Sequence, residues 1–324
     1  MVPARPLAIS GADVIWQLIF GLVLMLAGGE ALVRGAVALA ERLGVSPLVI
    51  GVTLIGFGTS APELATCIDA ALRGAPGIAV GNVVGSNIAN VLLILAVGAL
   101  LYPIAANRRA LGRDGPVLMA ATLICMGIIM HGHVGRWLGA ALFTGLVIYL
   151  VAAALDDRRQ MAKTENQAKA DDRPFAIPLH LGLVVFGLAA VLFGADLLVQ
   201  AAVDLAALLG VSDAVIGLTV VAIGTSLPEL ATAVIASLKR QSELVFGNVI
   251  GSNIFNSLGI FGATALVQPI DVPGEIAGFD VWVMLGATAL LLIFATTGWR
   301  ISRREGAVLL VGYIAFIGLH AGAI

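Results

Sequence analysis

Charge, cysteine and aromatic side chains are all scarce in this sequence of 324 residues. Only 12% of the residues are charged and 60% are hydrophobic, a balance outside the range of soluble globular domains. The two cysteines, Cys67 and Cys125, fall within apolar runs and predict no disulfide framework. A phosphate-binding loop of the type G-x-x-x-x-G-K-[ST] is missing, which argues against ATP as an energy source. Without a basic stripe, nucleic-acid binding is not indicated either.

Long apolar runs are what the sequence has instead. Ten of them recur along the chain, and a helix needs about 20 such residues to cross a hydrocarbon core. Backbone amides find no water in lipid and the alternation of a barrel strand is absent, so the runs predict an all-α membrane protein with ten transmembrane helices. The predicted spans are 14–39, 47–72, 78–103, 115–131, 137–155, 178–207, 213–237, 244–268, 279–297 and 306–322.

Lys and Arg are distributed unequally between alternate breaks of these runs. One set of breaks holds most of them, including Arg108, Arg240 and Arg303, whereas the other set holds few, such as Arg136. Short cytoplasmic loops carry the excess of Lys and Arg in membrane proteins. We therefore expect a multi-pass protein of the plasma (inner) membrane with both termini outside the cytoplasm. The charged break at about 156–177 is then a cytoplasmic linker.

The chain contains an internal duplication at an offset of 166 residues. GFGTSAPEL at 56–64 recurs as AIGTSLPEL at 222–230, and GNVVGSNIAN at 81–90 recurs as GNVIGSNIFN at 247–256. About half of the positions between residues 43 and 104 are identical to their partners. Such similarity exceeds what shared hydrophobicity would produce.

The duplication divides a single transmembrane domain, residues 1–324, into two repeats at about 10–155 and 178–324. Five predicted helices per repeat is an odd number, so the second repeat enters the membrane from the opposite face. Inverted repeats with broken helices around a midplane site are typical of secondary transporters. The alternative is that the duplication only enlarges a stable helical bundle and has no role in transport.

Glu63 and Glu229 occupy the middle of two predicted spans, where an ionised carboxylate costs a few kcal/mol or more unless it has a partner or water. No Lys or Arg lies at a comparable depth in the second, third, seventh or eighth span. A mobile cation would supply the missing positive charge. The alternative is a pair of protonated, hydrogen-bonded glutamates.

Oxygen-bearing side chains accompany both carboxylates at helical spacing. Pro62 and Pro228 lack an amide hydrogen and free backbone carbonyls nearby. Gly81, Gly85, Gly247 and Gly251 predict close helix packing, and Asn82 and Asn248 could support packing or the site. The side chains that we expect to bind a metal ion are Thr59, Ser60, Glu63, Ser86, Asn90, Thr225, Ser226, Glu229, Ser252 and Asn256.

Two carboxylates with hydroxyl and amide oxygens favour hard cations, and six to eight flexible oxygen atoms suit Ca²⁺ better than Mg²⁺. Na⁺ is close to Ca²⁺ in size and could use the same atoms. We therefore expect an antiporter that exports Ca²⁺ in exchange for Na⁺ by alternating access. The partners are then the lipid bilayer and inorganic cations, with no cofactor and no obligatory protein partner.

Three alternatives remain open. A cation exchanger of the same fold could be driven by protons taken up by the two carboxylates, and a cation channel would conduct without a counter-ion. A membrane enzyme is disfavoured, because no nucleophile with its base and no H-E-x-x-H signature accompanies Glu63 and Glu229.

The paired motifs GVTLIGFGTSAPEL with GNVVGSNIAN, and GLTVVAIGTSLPEL with GNVIGSNIFN, resemble the alpha repeats of the calcium/cation antiporter superfamily, in its prokaryotic sodium/calcium exchanger branch. The resemblance covers nearly the whole chain. It implies ten helices in two inverted halves and ion binding by the second, third, seventh and eighth helices. It also implies backbone carbonyl ligands at Gly56 and Ala222, and first and sixth helices that slide across the core.

Those first and sixth helices carry Glu30 and Asp196, which match at the same offset. Arg34 follows Glu30 by four residues, so the simplest interpretation is a local ion pair on one helix face. A place for these residues along the ion path is the alternative.

Overall fold

The computed structural model describes residues 11–164, 176–208, 224–272 and 278–321, most of which are helical. The α-helices are α1 (Gly11–Leu43), α2 (Pro47–Ile50), α3 (Gly56–Thr59), α4 (Ala61–Leu72), α5 (Pro76–Ala89), α6 (Ala96–Leu101), α7 (Arg108–His131), α8 (Arg136–Thr164), α9 (Ala176–Leu208), α10 (Leu227–Leu238), α11 (Ser242–Ile254), α12 (Phe261–Val267), α13 (Phe279–Thr296) and α14 (Arg303–Ala321). Within the described residues, three segments are π-helical, with wider turns than an α-helix: π1 (Gly51–Ile55), π2 (Asn90–Leu95) and π3 (Phe255–Ile260).

Within the described residues, seven helical segments are long and apolar enough to cross a membrane, or eight if the bent pair from Pro47 to Leu72 is one span. The prediction of a helical membrane protein is confirmed, but this count does not reach the predicted ten. The predicted span 213–237 begins outside the described residues, so that only α10 represents it. Helix α14, whose first turn is charged, is not among the seven.

The third and eighth predicted spans form the centre of the molecule. The most apolar stretch of Ser242–Val267 is 100% buried and that of Pro76–Leu101 is 78% buried, against 28% for Asp13–Leu43. Large apolar side chains such as Trp137 and Phe186 cover the outer surface. Such a surface is stable in lipid, because lipid tails are as apolar as the side chains that contact them.

The span from Pro47 to Leu72 bends by 43° at a break after Thr59. Pro62 lies in the first turn of α4, and Pro228 lies in the first turn of α10. A helix tolerates proline at this position, because the missing N–H would have no intrahelical partner there. Each motif proline therefore stands where a helix begins.

Two short antiparallel ribbons join the halves of the chain. Strand β1 (Ile104–Ala105) pairs with β4 (Arg300–Ile301), with Ile104 opposite Ile301. Strand β2 (His133–Val134) pairs with β3 (Ile270–Asp271), with Val134 opposite Ile270. Each ribbon takes one strand from each half, so both halves contribute to its backbone pairing.

Helices α1 and α9 pack backbone to backbone through glycines that also match at the offset of 166. A Cβ on Gly28 would lie 2.9 Å from the carbonyl oxygen of Gly187, and a Cβ on Gly194 would lie 2.8 Å from that of Gly21. Real Cβ atoms do not approach a neighbour so closely. The two helices therefore form one tightly fitted pair.

Candidate cation site

Glu63 and Glu229 lie in the first turns of α4 and α10, and each is only 1% exposed. A helix N-terminus carries a partial positive charge, which lowers the cost of a carboxylate there. Taking a carboxylate out of water nevertheless costs several kcal/mol. The local fold thus places both acids in equivalent positions without removing that cost.

Hydrogen bonds between the halves bring the two acidic motifs together. The Ser60 hydroxyl donates to Oε1 of Glu229 at 2.8 Å, and the Ser226 hydroxyl donates to Oε1 of Glu63 at 3.5 Å. The second distance is at the outer limit for a hydrogen bond. The two carboxylates are also close enough for their charges to repel each other. The polar residues of both halves therefore share one site.

Four polar side chains of the second motif lie in the central helices. Ser86 and Asn90 belong to the stretch from α5 into π2, and Ser252 and Asn256 belong to the stretch from α11 into π3. All four are at most 5% exposed. Helix α4 packs on α5 and α10 packs on α11, so the helix of each acidic motif lies against the helix of the amide motif of its own half.

Buried polar atoms without partners occur among these side chains. Oε2 of Glu63, Oε2 of Glu229, Oγ of Ser252 and the side-chain amide atoms of Asn256 have no hydrogen bond to any described residue. An unpaired buried polar group costs about 1–3 kcal/mol. Most of these atoms are oxygens, which can coordinate a hard cation.

Neither carboxylate has a fixed positive partner in the part of the chain that the structure describes. Every ion pair of the described residues involves other acids, such as Glu30, Asp69 and Asp114. Two repelling carboxylates, with hydroxyl and amide oxygens around them, form an arrangement that a mobile cation can neutralise.

The predicted packing glycines behave differently in the two halves. A Cβ on Gly251 would lie 2.5 Å from the Cα of Val52, and a Cβ on Gly247 would collide with the carbonyl oxygen of Leu48. At Gly81 and Gly85, no described residue comes within 4 Å of a Cβ. The positions equivalent to Leu48 and Val52 are 214 and 218, which lie outside the described residues. Close packing at Gly81 and Gly85 stays a prediction.

The remaining predicted site residues surround this centre. The Gly56 carbonyl accepts the Ser60 amide N–H at 3.2 Å, which occupies one of its two lone pairs. The Asn82 amide donates to the Glu63 carbonyl oxygen at 3.4 Å, whereas neither side-chain amide atom of Asn248 has a described partner. The other predicted residues comprise buried Thr59, partly exposed Thr225 and Ala222, which is outside the described residues.

A cavity of about 240 Å³ lies between α9 and the two acidic motifs. Its lining includes Pro62, Thr66, Thr225 and Pro228 from the motifs and Ala195 and Asp196 from α9. The sequence singled out Asp196 as the match of Glu30, and gave a place along the ion path as the alternative interpretation. Ala195 carries no chemical signal, so its place in the lining could not be predicted.

Comparisons with known proteins agree on one family. The family model described as sodium/calcium exchanger protein matches residues 14–155 and 179–321. A candidate antiporter, CaxA of Alkalimonas amylolytica, is 40% identical over 91% of this chain and 95% of its own length. The sodium/calcium exchanger MaX1 of Methanosarcina acetivorans is 36% identical over 93% of this chain and 96% of its own length.

A solved structure shares the fold over nearly its whole length. The sodium-calcium exchanger NCX_Mj superposes with a TM-score of 0.84 at 31% identity, covering 94% of this chain and 98% of that chain. A match of this extent covers both halves, including the motifs with the two buried carboxylates. This chain therefore belongs to the sodium/calcium exchanger protein family.

Proposed function

We propose that this protein is a secondary active antiporter that exports Ca²⁺ in exchange for Na⁺ by alternating access. The observation that carries the proposal is the pair of buried carboxylates, one from each half, joined through Ser60 and Ser226 with no basic partner among the described residues. The family is one of exchangers and not of enzymes, and MaX1 and NCX_Mj are named as sodium/calcium exchangers.

The proposed ligands are oxygen atoms from four helical segments. Ca²⁺ takes six to eight oxygen ligands. The unpaired side-chain oxygen atoms of Glu63, Glu229, Ser252 and Asn256 are four of the proposed ligands. The backbone carbonyl oxygens of Gly56 and Ala222 are also proposed as ligands. The further side-chain ligands are Thr59, Ser60, Ser86, Asn90, Thr225 and Ser226.

Coupling between the two ions follows from charge. Without an ion, the site contains two carboxylates that repel each other in a medium where charges are poorly solvated. Ca²⁺ or Na⁺ neutralises them, and both ions compete for the same oxygens. A conformational change that buries the site is then favoured only with ions bound, which couples the movement of one ion to that of the other.

Export of Ca²⁺ from a cell with a negative interior requires a driving ion. Each elementary charge moved through 100 mV costs about 2.3 kcal/mol, so Ca²⁺ costs about twice that before its concentration gradient is counted. MaX1 and NCX_Mj are named as sodium/calcium exchangers, which favours Na⁺ over H⁺ as the driver. A channel would need no exchange partner and fits the family less well.

The proposed architecture is ten membrane-spanning helices in two inverted repeats, in the plasma membrane with both termini outside the cytoplasm. Reciprocal contacts support it. The hydroxyls of Thr122 and Thr288, which are equivalent residues 166 apart, lie 3.3 Å from each other. A residue that contacts its own equivalent lies close to a two-fold axis between the halves.

The test measures uptake of radiolabelled Ca²⁺ into everted membrane vesicles. Vesicles loaded with Na⁺ and diluted into Na⁺-free buffer should accumulate Ca²⁺, and a sodium ionophore should abolish the uptake. Vesicles without the protein are the control. Uptake driven by a pH gradient in the absence of Na⁺ would overturn Na⁺ coupling. Ca²⁺ entry without any counter-ion gradient would overturn the antiport mechanism and indicate a channel.

A further inference from the structure

An ion pair connects helix α1 to the end of helix α10. Glu30 Oε1 lies 2.6 Å from Lys239 Nζ and 2.5 Å from Arg34 Nε on its own helix. The sequence predicted the bond to Arg34, but Lys239 follows Glu30 by more than two hundred residues and was not anticipated. This ion pair therefore connects helices α1 and α9, which pack tightly together, to one end of the helices that carry the site.

The equivalent residues in the other half do not form such a bond. At the offset of 166, Glu30 corresponds to Asp196 and Lys239 corresponds to Arg73. Asp196 accepts a hydrogen bond from Gln200 at 2.6 Å, and Arg73 pairs with Asp69 at 2.7 Å. Among the described residues, Asp196 has no basic partner. Among the described residues, an ion pair thus ties α1 to α10 at one end, and no equivalent ion pair ties α9 to α4 at the other.

The backbone nevertheless places the two bases alike. Arg73 and Lys239 each follow the last residue of α4 and α10, with φ and ψ of −82° and 1° at Arg73 and −84° and 2° at Lys239. Arg73 therefore has the same backbone position after α4 as Lys239 has after α10. The acidic partner of each base differs, since Lys239 pairs with Glu30 of α1 and Arg73 pairs with the neighbouring Asp69.

Burial of equivalent residues shows the same difference. Val33 and Thr232 lie on the side of Glu30 and are each only 1% exposed. Their equivalents on the side of Asp196, Val199 and Thr66, are half-buried and line the cavity that reaches the acidic motifs. The interface is closed where the ion pair is formed and open where it is not.

The glycine packing of α1 on α9 makes the two ends interdependent. Because their backbones are in contact at Gly28 with Gly187 and at Gly194 with Gly21, the helices cannot easily shift past each other. A movement of the pair that brings Asp196 toward Arg73 would also change the distance from Glu30 to Lys239.

We propose that Glu30–Lys239 and Asp196–Arg73 are alternating ion pairs that close opposite ends of the ion path, each formed when the other is broken. This rests on the alternating access proposed above. Each pair keeps a local partner for one member, since Glu30 retains Arg34 and Arg73 retains Asp69. Breaking either pair therefore leaves only one charge without its partner, which keeps the two states close in energy.

Cross-linking of cysteine pairs in the full-length protein tests the proposal. One variant carries Glu30→Cys with Lys239→Cys, and the other carries Asp196→Cys with Arg73→Cys. A short bifunctional methanethiosulfonate spans the distance of the original side chains, and reduction cleaves it. Native Cys67 and Cys125 are buried, so the parent protein and the four single variants serve as controls.

Both pairs should cross-link, and each cross-link should abolish Na⁺-dependent Ca²⁺ uptake until it is reduced. Ions that raise the yield of one cross-link should lower the yield of the other. The proposal is overturned if Asp196→Cys with Arg73→Cys never cross-links while the protein exchanges ions, or if a cross-linked protein still transports at the parental rate. Yields that rise and fall together under all ionic conditions would also overturn it.

Charge reversal gives a second readout. Glu30→Lys and Lys239→Glu should each slow exchange severalfold, and the double variant should recover most of the rate. Arg240→Gln is the matched control, because Arg240 lies next to Lys239 but its guanidinium stacks over Tyr102. No recovery in the double variant would contradict pairing. If the parent protein fails to exchange Na⁺ for Ca²⁺, the proposed function fails, whereas the reciprocal cross-linking yields remain measurable on gels.

Discussion

The two halves of this protein contain nearly the same motifs at a constant offset, yet their contacts are symmetric in some regions and not in others. At the centre, Thr122 contacts its own equivalent Thr288, and the glycine contacts between α1 and α9 are mirrored. Where the α1–α9 pair meets the rest of the molecule, Glu30 is bonded to Lys239 and its equivalent Asp196 is not bonded to Arg73. Similar sequences thus have different surroundings, because the neighbours of each motif come from both halves.

Glu63→Gln and Glu229→Gln test whether the two carboxylates contribute equally to Ca²⁺ binding, although their hydrogen bonds to Ser226 and Ser60 differ in length. Loss of one partner of a buried charged pair costs about 3–5 kcal/mol, a loss of Ca²⁺ affinity of about 100-fold or more. We expect this loss for both variants in isothermal titration. Asp271→Asn is the control, because Asp271 is exposed and pairs with His133 at a short surface ribbon. Near-parental affinity in either glutamine variant would contradict a shared site.

Gly28→Ala and Gly194→Ala test the mirrored packing of α1 on α9. The added Cβ would meet backbone atoms of the partner helix, so each variant should lose about 1–3 kcal/mol of stability. Thermal unfolding in detergent should show similar losses for the two variants. Gly127→Ala is the control, because no described residue lies within 4 Å of a Cβ there. Clearly unequal losses would mean that this contact is not symmetric in solution.

Ser60→Ala and Ser226→Ala compare the two hydrogen bonds between the halves. A hydrogen bond to a charged group contributes about 1.5–3 kcal/mol, and only the Ser60 bond, at 2.8 Å, has a favourable distance. In protein without Ca²⁺ and Na⁺, Ser60→Ala should therefore lower the unfolding temperature more than Ser226→Ala. Equal decreases would show that the two bonds are equivalent.

Thr122→Val and Thr288→Val should have the smallest effects. Thr122 donates to the Leu118 carbonyl at 2.9 Å, so its contact with Thr288 requires Thr288 as the donor. Each single variant should lose about 1 kcal/mol or less, and the double variant should lose less than the sum, since both partners are then apolar. A strictly additive double-mutant cycle would show that the central contact contributes nothing.

Much of the fold could be predicted from patterns that are local in the sequence. Apolar runs predicted helices in lipid, and the recurrence of GTS-x-PEL and GN-V-x-GSNI predicted two related halves. The helix boundaries were less predictable. Helix α8 continues to Thr164, beyond the predicted end at 155, because backbone hydrogen bonding can extend a helix past its apolar stretch.

The candidate site was partly visible in the sequence for a similar reason. A carboxylate in an apolar span is costly, so Glu63 and Glu229 were conspicuous. The spacing that fits α1 on α9, Gly21 and Gly28 in one helix and Gly187 and Gly194 in the other, was not recognised, because glycine is frequent in this chain and carries no chemical group. Its role depends on what lies opposite.

The sequence by itself determined that the chain lies in a membrane as helices, that it consists of two related halves, and that two acids without local bases stand inside it. These properties follow from solvation energy and from spacing along one helix, which a linear pattern contains. Only the tertiary structure decided that Ser60 reaches Glu229, that Glu30 bonds Lys239, and that the interface is closed on one side and open on the other. Those contacts join residues far apart in the chain, and whether they form depends on how whole helices pack against each other.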